Sequence, residues 1–178
     1  MKQRSSVKSL YLETCKDTKN TLKILRELAL IDFQSRHPHV PEYARITLDY
    51  NDRTANGLTK CIIDYIRFNN GQAERINCTG KLIDNRKTFT DTMGYLRTIG
   101  SLKYGHTSGQ RGTADISATI KGRSVKIEIK IGSDRQSEAQ KEYQRSIEAS
   151  GGIYFIAKDF SQFFAWYQLT FGGQRNGH

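Results

Sequence analysis

The stretch from Gly112 to Lys130 carries two carboxylates and an amine at a spacing suited to metal-assisted cleavage of a phosphodiester: Asp115, Glu128 and Lys130. Between Val125 and Ile131 the odd positions are apolar, and Lys126, Glu128 and Lys130 fill the even ones. Side chains alternate across a strand, so these three polar groups project from one face. Upstream, Ile116, Ala118 and Ile120 alternate with Asp115, Ser117 and Thr119. Lys121-Gly122 lies between the two runs and suits a two-residue hairpin turn. That turn pairs Ile120 with Arg123, Ala118 with Val125 and Ile116 with Ile127, and it sets Asp115 opposite Glu128. A slip of one residue mixes the apolar and polar faces, so pattern and turn agree on one register.

Directly opposed residues have Cβ atoms roughly 4.5–5.5 Å apart. Two carboxylates that close repel unless a cation sits between them. A hard ion with oxygen ligands, Mg²⁺ or Mn²⁺, answers that requirement. The same alternation also fits a solvated strand face, with Asp115 in a surface ion pair with Lys126 or Lys130.

The flanking strings narrow the choice. GTADI, IEIK, SEAQKEYQ and GGIYFIA follow one another between Gly112 and Ala157. In that order they resemble the PD-(D/E)XK nuclease superfamily, most of all its small VRR-NUC and Holliday-junction-resolvase-like branches. The resemblance spans roughly residues 56 to 167, and Ala114 stands where many members have proline. It implies Asp115 and Glu128 as metal ligands, with the Ile129 main-chain carbonyl as a third. It implies that Lys130 orients the attacking water and that Gln140 supports the site from the next helix. It also implies a Mg²⁺-dependent endodeoxyribonuclease (Mn²⁺ substituting), active on branched DNA as a homodimer in bacterial or phage recombination or repair. Such nucleases often take a further acid from an upstream helix; Asn56 stands where one is expected, and Glu27 and Asp64 are the available acids.

Charge agrees with a polyanionic partner. The chain of 178 residues has a net charge of +10. Residues 75–135 hold twelve basic and five acidic residues, so most of the excess surrounds the motif. Arg111, Lys126, Lys103 and Arg135 are the expected DNA contacts there. The glycine-rich loop from Gly105 to Gly112 serves either as a DNA-approaching element or as a plain connector. No apolar run approaches the ~20 residues of a membrane span. MKQRSSVKSL lacks the apolar core of a signal peptide. Cys15, Cys61 and Cys78 are odd in number and share no CxxC spacing, which predicts reduced thiols in a cytoplasm and no zinc site.

The remaining chain must position the motif. The expected organisation is a single domain, with a basic and helical extension over 1–50 and the nuclease core over 54–171. Apolar spacing predicts helices over Thr18–Phe33 and Thr54–Phe68, with a loop from His37 to Asp52 between them. Gln72–Cys78 reads as a strand, 81–94 is ambiguous, and Tyr95–Tyr104 reads as a strand broken at Gly100. Ser137-Glu138-Ala139-Gln140 matches a capping box opening a helix to Ser150, which gives Gln140 a purely structural explanation too. Ile153–Ala157 reads as a buried strand, parallel to 125–131 through the helical crossover. Asp159–Phe171 reads as a helix whose aromatic side serves as core or as a dimer face. The predicted fold is α/β, a small mixed sheet flanked by helices with a restriction-endonuclease-like core.

Overall fold

A computed structural model of the chain describes residues 18–45, 48–76, 81–105 and 110–172. The basic lead-in, Cys15, Cys78 and positions 106–109 of the glycine-rich loop lie outside them. The architecture is mixed α/β. Helix α1 (Thr18–Arg36) and helix α2 (Ala55–Phe68) come first. Strands follow as β1 (Gln72–Arg75), β2 (Lys81–Asp84), β3 (Lys87–Thr90), β4 (Leu96–Ile99), β5 (Leu102–Gly105), β6 (Ile116–Ile120) and β7 (Arg123–Ile129). Helix α3 (Glu138–Ala149), strand β8 (Ile153–Ala157) and helix α4 (Phe160–Phe171) complete the fold.

The central sheet has the order β1-β6-β7-β8. The hairpin takes the register its alternation demands: Ile120 with Arg123, Ala118 with Val125, Ile116 with Ile127. Its turn has positive φ at both central residues, 48° at Lys121 and 75° at Gly122. Such a turn matches the twist of the flanking strands. A lysine in that strained region has a compensating contact, because its Nζ donates to the Phe171 carbonyl at the end of α4 (2.6 Å). Strand β8 returns through α3 and pairs in parallel with β7, setting Glu128 beside Ile156.

The two faces of this sheet do different work. Val125, Ile127 and Ile129 point into the main core with Ile116, Ala118 and Ile120. Helix α2 and helix α4 cover that side, and α1 adds Leu25 and Ala29 to the same cluster. Tyr65 is the hub, its ring meeting Phe160, Phe163, Phe164 and Tyr167 at centroid distances of 5.1 to 6.1 Å. The aromatic side of α4 is therefore buried inside the chain, and these residues are not a free dimer face. Cys61 is buried in this core as a thiol, its pKa pushed up to about 12 chiefly by burial. The opposite face carries the polar residues of β7 and lies under α3, with Ala114, Tyr143 and Tyr154 as a small second cluster.

Three elements differ from expectation. Strand β1 stops at Arg75, although Ile76 N–H still donates to the Asp115 carbonyl (2.8 Å). The ambiguous 81–94 segment forms two strands, β2 and β3, which pair with β5 and β4. Polar and apolar residues occupy both sides of these strands, so no single buried face marked them in the sequence. Among the described residues, no helix is long and apolar enough to cross a membrane.

Gly112 locks α3 onto the hairpin. Its φ is +77°, and a Cβ there would lie 2.3 Å from the Ala139 carbonyl oxygen. The glycine is therefore required for close approach of the loop to the first turn of α3. Gly112→Ala should destabilise the protein by roughly 1–3 kcal/mol, seen as a lower Tm. Gly122→Asn, at a position with open space, should leave Tm nearly unchanged. An unaltered Tm in Gly112→Ala would contradict the packing.

Candidate active site

Asp115 sits where β6 begins. Its Oδ2 accepts from the Ile129 N–H (2.9 Å), the donor that a further ladder rung would have used. The carboxylate thereby ends the pairing of β6 with β7 and is fixed at the mouth of the hairpin. A strand residue presents its N–H and C=O to the same neighbour, so the Ile129 carbonyl faces the Asp115 side as well.

Glu128 stands on β7 and is only 2% exposed, and Lys130 is 7% exposed. This excludes the solvated-face alternative. The Glu128 carboxylate accepts a short hydrogen bond from Gln140 Nε2 and a long one from the Tyr154 hydroxyl (3.5 Å). Lys130 Nζ lies 3.2 Å from Glu128 Oε1 and 3.2 Å from Asp134 Oδ2. Lys130 therefore bridges a buried acid and a surface acid. Asp115 makes no ion pair with Lys126 or Lys130 among the described residues; Lys126 Nζ instead bonds Ser117 Oγ (2.5 Å).

Gln140 does both of the jobs considered for it. Its Oε1 accepts from the Ser137 N–H (2.9 Å) while its own N–H donates to Ser137 Oγ (3.3 Å), closing the capping box. An amide has a separate donor and acceptor, so Nε2 remains for Glu128. The first turn of α3 thus delivers a fixed donor to the acid.

Burial is the main force raising the Glu128 pKa to about 7, and the nearby Asp115 charge raises it further. Hydrogen bonds and the charge of Lys130 oppose the rise without cancelling it. For Lys130, burial favours the neutral amine, but bonds to Asp134 and Glu128 outweigh it and hold the pKa above its usual value. Lys130 is therefore a cation wherever Glu128 titrates. Burial first, and then the Glu128 charge, lift the Tyr154 hydroxyl far above its ordinary range, so it remains a neutral donor.

Asp115, Glu128, Ile129, Lys130 and Gln140 are thus joined in one contact network. Arg111 is exposed beside Gly112, and Arg135 is exposed next to Asp134. Lys126 lies two residues before Glu128 on the same face, whereas Lys103 lies on the separate β2–β5 ladder. Neither upstream acid is joined to these residues by a hydrogen bond or ion pair among the described residues. Glu27 is exposed on α1, and Asp64 accepts from Tyr50 and Lys60. Among the described residues, no three His, Cys, Asp or Glu side chains gather as a metal cluster. The donor set is two carboxylates and a main-chain carbonyl, all oxygen, which fits a hard divalent ion that keeps several waters.

No family model matches the chain, and no curated protein matches it either.

Asp134 and Tyr154 were not foreseen. The four-residue separation of Asp134 from Lys130 says little outside a helix. Tyr154, the hydroxyl-bearing member of the apolar run IYFIA, was the available signal. The β7–β8 register places it beside Lys126, one diagonal step from Glu128.

The raised Glu128 pKa has a definite sign in stability. Its contribution is fully present below the unfolded glutamate pKa of about 4.3 and is lost as pH rises through about 7. Chemical denaturation in EDTA should show wild type losing stability relative to Glu128→Gln across that window, with a constant difference above it. A difference independent of pH would mean that Glu128 ionises normally.

Proposed function

We propose that this chain is a metal-dependent DNA endonuclease of the PD-(D/E)XK type, built on a restriction-endonuclease-like core. The observation that supports it best is the ionisable pair itself. Glu128 is buried beside Asp115, at a position where a carboxylate is unfavourable in the absence of further positive charge. A buried ion pair contributes little to stability compared with apolar packing. Five polar groups nevertheless converge on this point, which suits chemistry better than folding.

A divalent ion held by Asp115, Glu128 and the Ile129 carbonyl would supply Lewis acidity and a bound water of lowered pKa. The chain's own residues do the rest. Gln140 and Tyr154 hold the Glu128 carboxylate in one orientation. Lys130, kept cationic by two acids, orients the attacking water and offsets charge that builds on the phosphate oxygens. Water adds to phosphorus and the 3′ oxygen leaves, giving a 5′-phosphate and a 3′-hydroxyl. Arg111, Lys126 and Arg135 supply positive charge for the DNA backbone on both sides of the acids. Structure-selective cutting of branched DNA by a homodimer is the subtype we favour, because two symmetric sites match a two-fold junction.

The test is a panel of labelled linear duplex, single strand, flap and four-way junction, with Mg²⁺, Mn²⁺ or EDTA. Wild type should cut with either metal and not in EDTA. Glu128→Ala and Asp115→Asn should lose roughly 10³-fold or more of the rate while still binding DNA. Wild-type cutting by Glu128→Ala would refute the assignment. Binding without cutting in every metal would favour a catalytically silent DNA-binding module.

The dual role of Gln140 has its own signature. Ser137→Ala removes the cap alone and should cost about 1 kcal/mol of stability with cutting preserved. Gln140→Ala should cost similar stability and also lower the cutting rate at saturating DNA. Equal rates in the two variants would reduce Gln140 to a cap.

A further inference from the structure

The segment inserted between β1 and β6 forms two two-stranded ladders in one register, interrupted at Gly100, where φ is +95°. Strands β2 and β5 pair Asp84 with Leu102, and β3 and β4 pair Lys87 with Ile99, three positions further along on both strands. Asn85 N–H donates to the Ser101 carbonyl between them (3.3 Å), so the register never slips. At the tip, Asp91 N–H donates to the Tyr95 carbonyl (2.8 Å), and Asp91 Oδ1 accepts from Met93 N–H and Tyr95 N–H. Residues 81–91 thus run against 95–105, and at about 3.3 Å per position the arm is at most about 35 Å long.

Its two faces are unlike. Paired residues share a face and successive pairs alternate. One face carries Lys87, Arg97 and Lys103 together with Phe89, Tyr95 and Ile99. The other carries Leu82, Leu96, Leu102 and Tyr104, and its charges cancel in the Asp84–Arg86 ion pair. The apolar and aromatic residues named are all exposed. On the first face Asp91 neutralises Arg97 (2.9 Å), and no carboxylate among the described residues lies within ion-pair distance of Lys87 or Lys103. The arm is also tethered close to the acids. Ile76 N–H bonds directly to the Asp115 carbonyl, and the five residue steps from Ile76 to Lys81 span at most about 18 Å.

We propose that ribbon 81–105 is a DNA-binding arm that lays its Lys87–Arg97–Lys103 face in the major groove of the duplex presented to Asp115 and Glu128. This rests on the nuclease assignment and extends it to the duplex beside the cut. The lysines reach flanking phosphates, and Phe89, Tyr95 and Ile99 cover apolar base edges. The major groove of B-DNA admits a two-stranded ribbon. The deep, narrow major groove of A-form RNA does not, so the arm selects duplex DNA over duplex RNA.

The test is fluorescence anisotropy in EDTA, with duplex DNA and duplex RNA of one sequence, on wild type and Lys87→Ala/Lys103→Ala. Both lysines are exposed, and an unchanged Tm verifies the fold. Removing two phosphate contacts should weaken DNA binding about tenfold and flatten the slope of log K against log salt by about 2. Wild type should bind duplex RNA more weakly than DNA, and the double variant should change RNA binding little. Unchanged DNA affinity and slope in the double variant overturn the proposal. So does an equal loss on RNA and DNA. If DNA binding is unchanged while Leu96→Ser/Leu102→Ser converts a dimer to a monomer, the arm serves a second copy of the chain and the proposal is overturned. Cutting of the same duplex is followed with Mg²⁺. A wild type that binds and never cuts refutes the nuclease, while the arm stands on the double variant's loss of affinity. A wild type that cuts, with binding unchanged in the double variant, refutes the arm alone.

Discussion

The arrangement depends on one carboxylate held where water cannot solvate it. Glu128 lies on the inner strand β7, bonded from α3 by Gln140 and within reach of the Asp115 charge. An isolated charge there is costly, and its burial raises its pKa to about 7. Three neighbours answer that cost and one adds to it. Lys130 offers charge, Gln140 and Tyr154 offer hydrogen bonds, and Asp115 adds a second negative group that makes a cation welcome. Removing Lys130, Gln140 or Tyr154 leaves a buried carboxylate less well matched, whereas Asp115 adds to the cost that a cation would offset.

The sheet makes this possible by dividing its labour. Its apolar face is anchored by α2, α4 and the Tyr65 aromatic cluster. That rigid base frees the other face of β7 to carry polar groups. The capping box connects the helix that covers them to the site, because the amide that closes the helix end also donates to Glu128. Gly112 lets the loop preceding Asp115 press against the same helical turn. Local helix-end chemistry thereby becomes positional precision at the acid pair.

Much of this was legible in the sequence, for identifiable reasons. The register of β6 with β7 followed from Ile116, Ala118, Ile120, Val125 and Ile127, because a slip would have buried charge. The crossover and the capping box followed from strong local signals at Ser137 and Gly151-Gly152. Burial of Glu128 and Lys130 was not legible, since alternation describes a solvated face equally well and only α3 packed above decides it. Asp134 and Tyr154 depend on tertiary placement, which pattern does not carry. Half of the arm was legible, since Tyr95–Tyr104 forms two strands broken at Gly100 as expected; its partner 81–91 was not, because a ribbon exposed on both faces lacks the one-sided burial that makes strands readable.

The central claim is that Asp115 and Glu128 together hold a divalent cation. Electron paramagnetic resonance titration of Mn²⁺ at pH 8 addresses it without any assumption about substrate. Wild type should show saturable binding that Asp115→Asn and Glu128→Gln each abolish, at unchanged fold by circular dichroism. Equal Mn²⁺ binding by all three proteins, or none by wild type, would contradict the account.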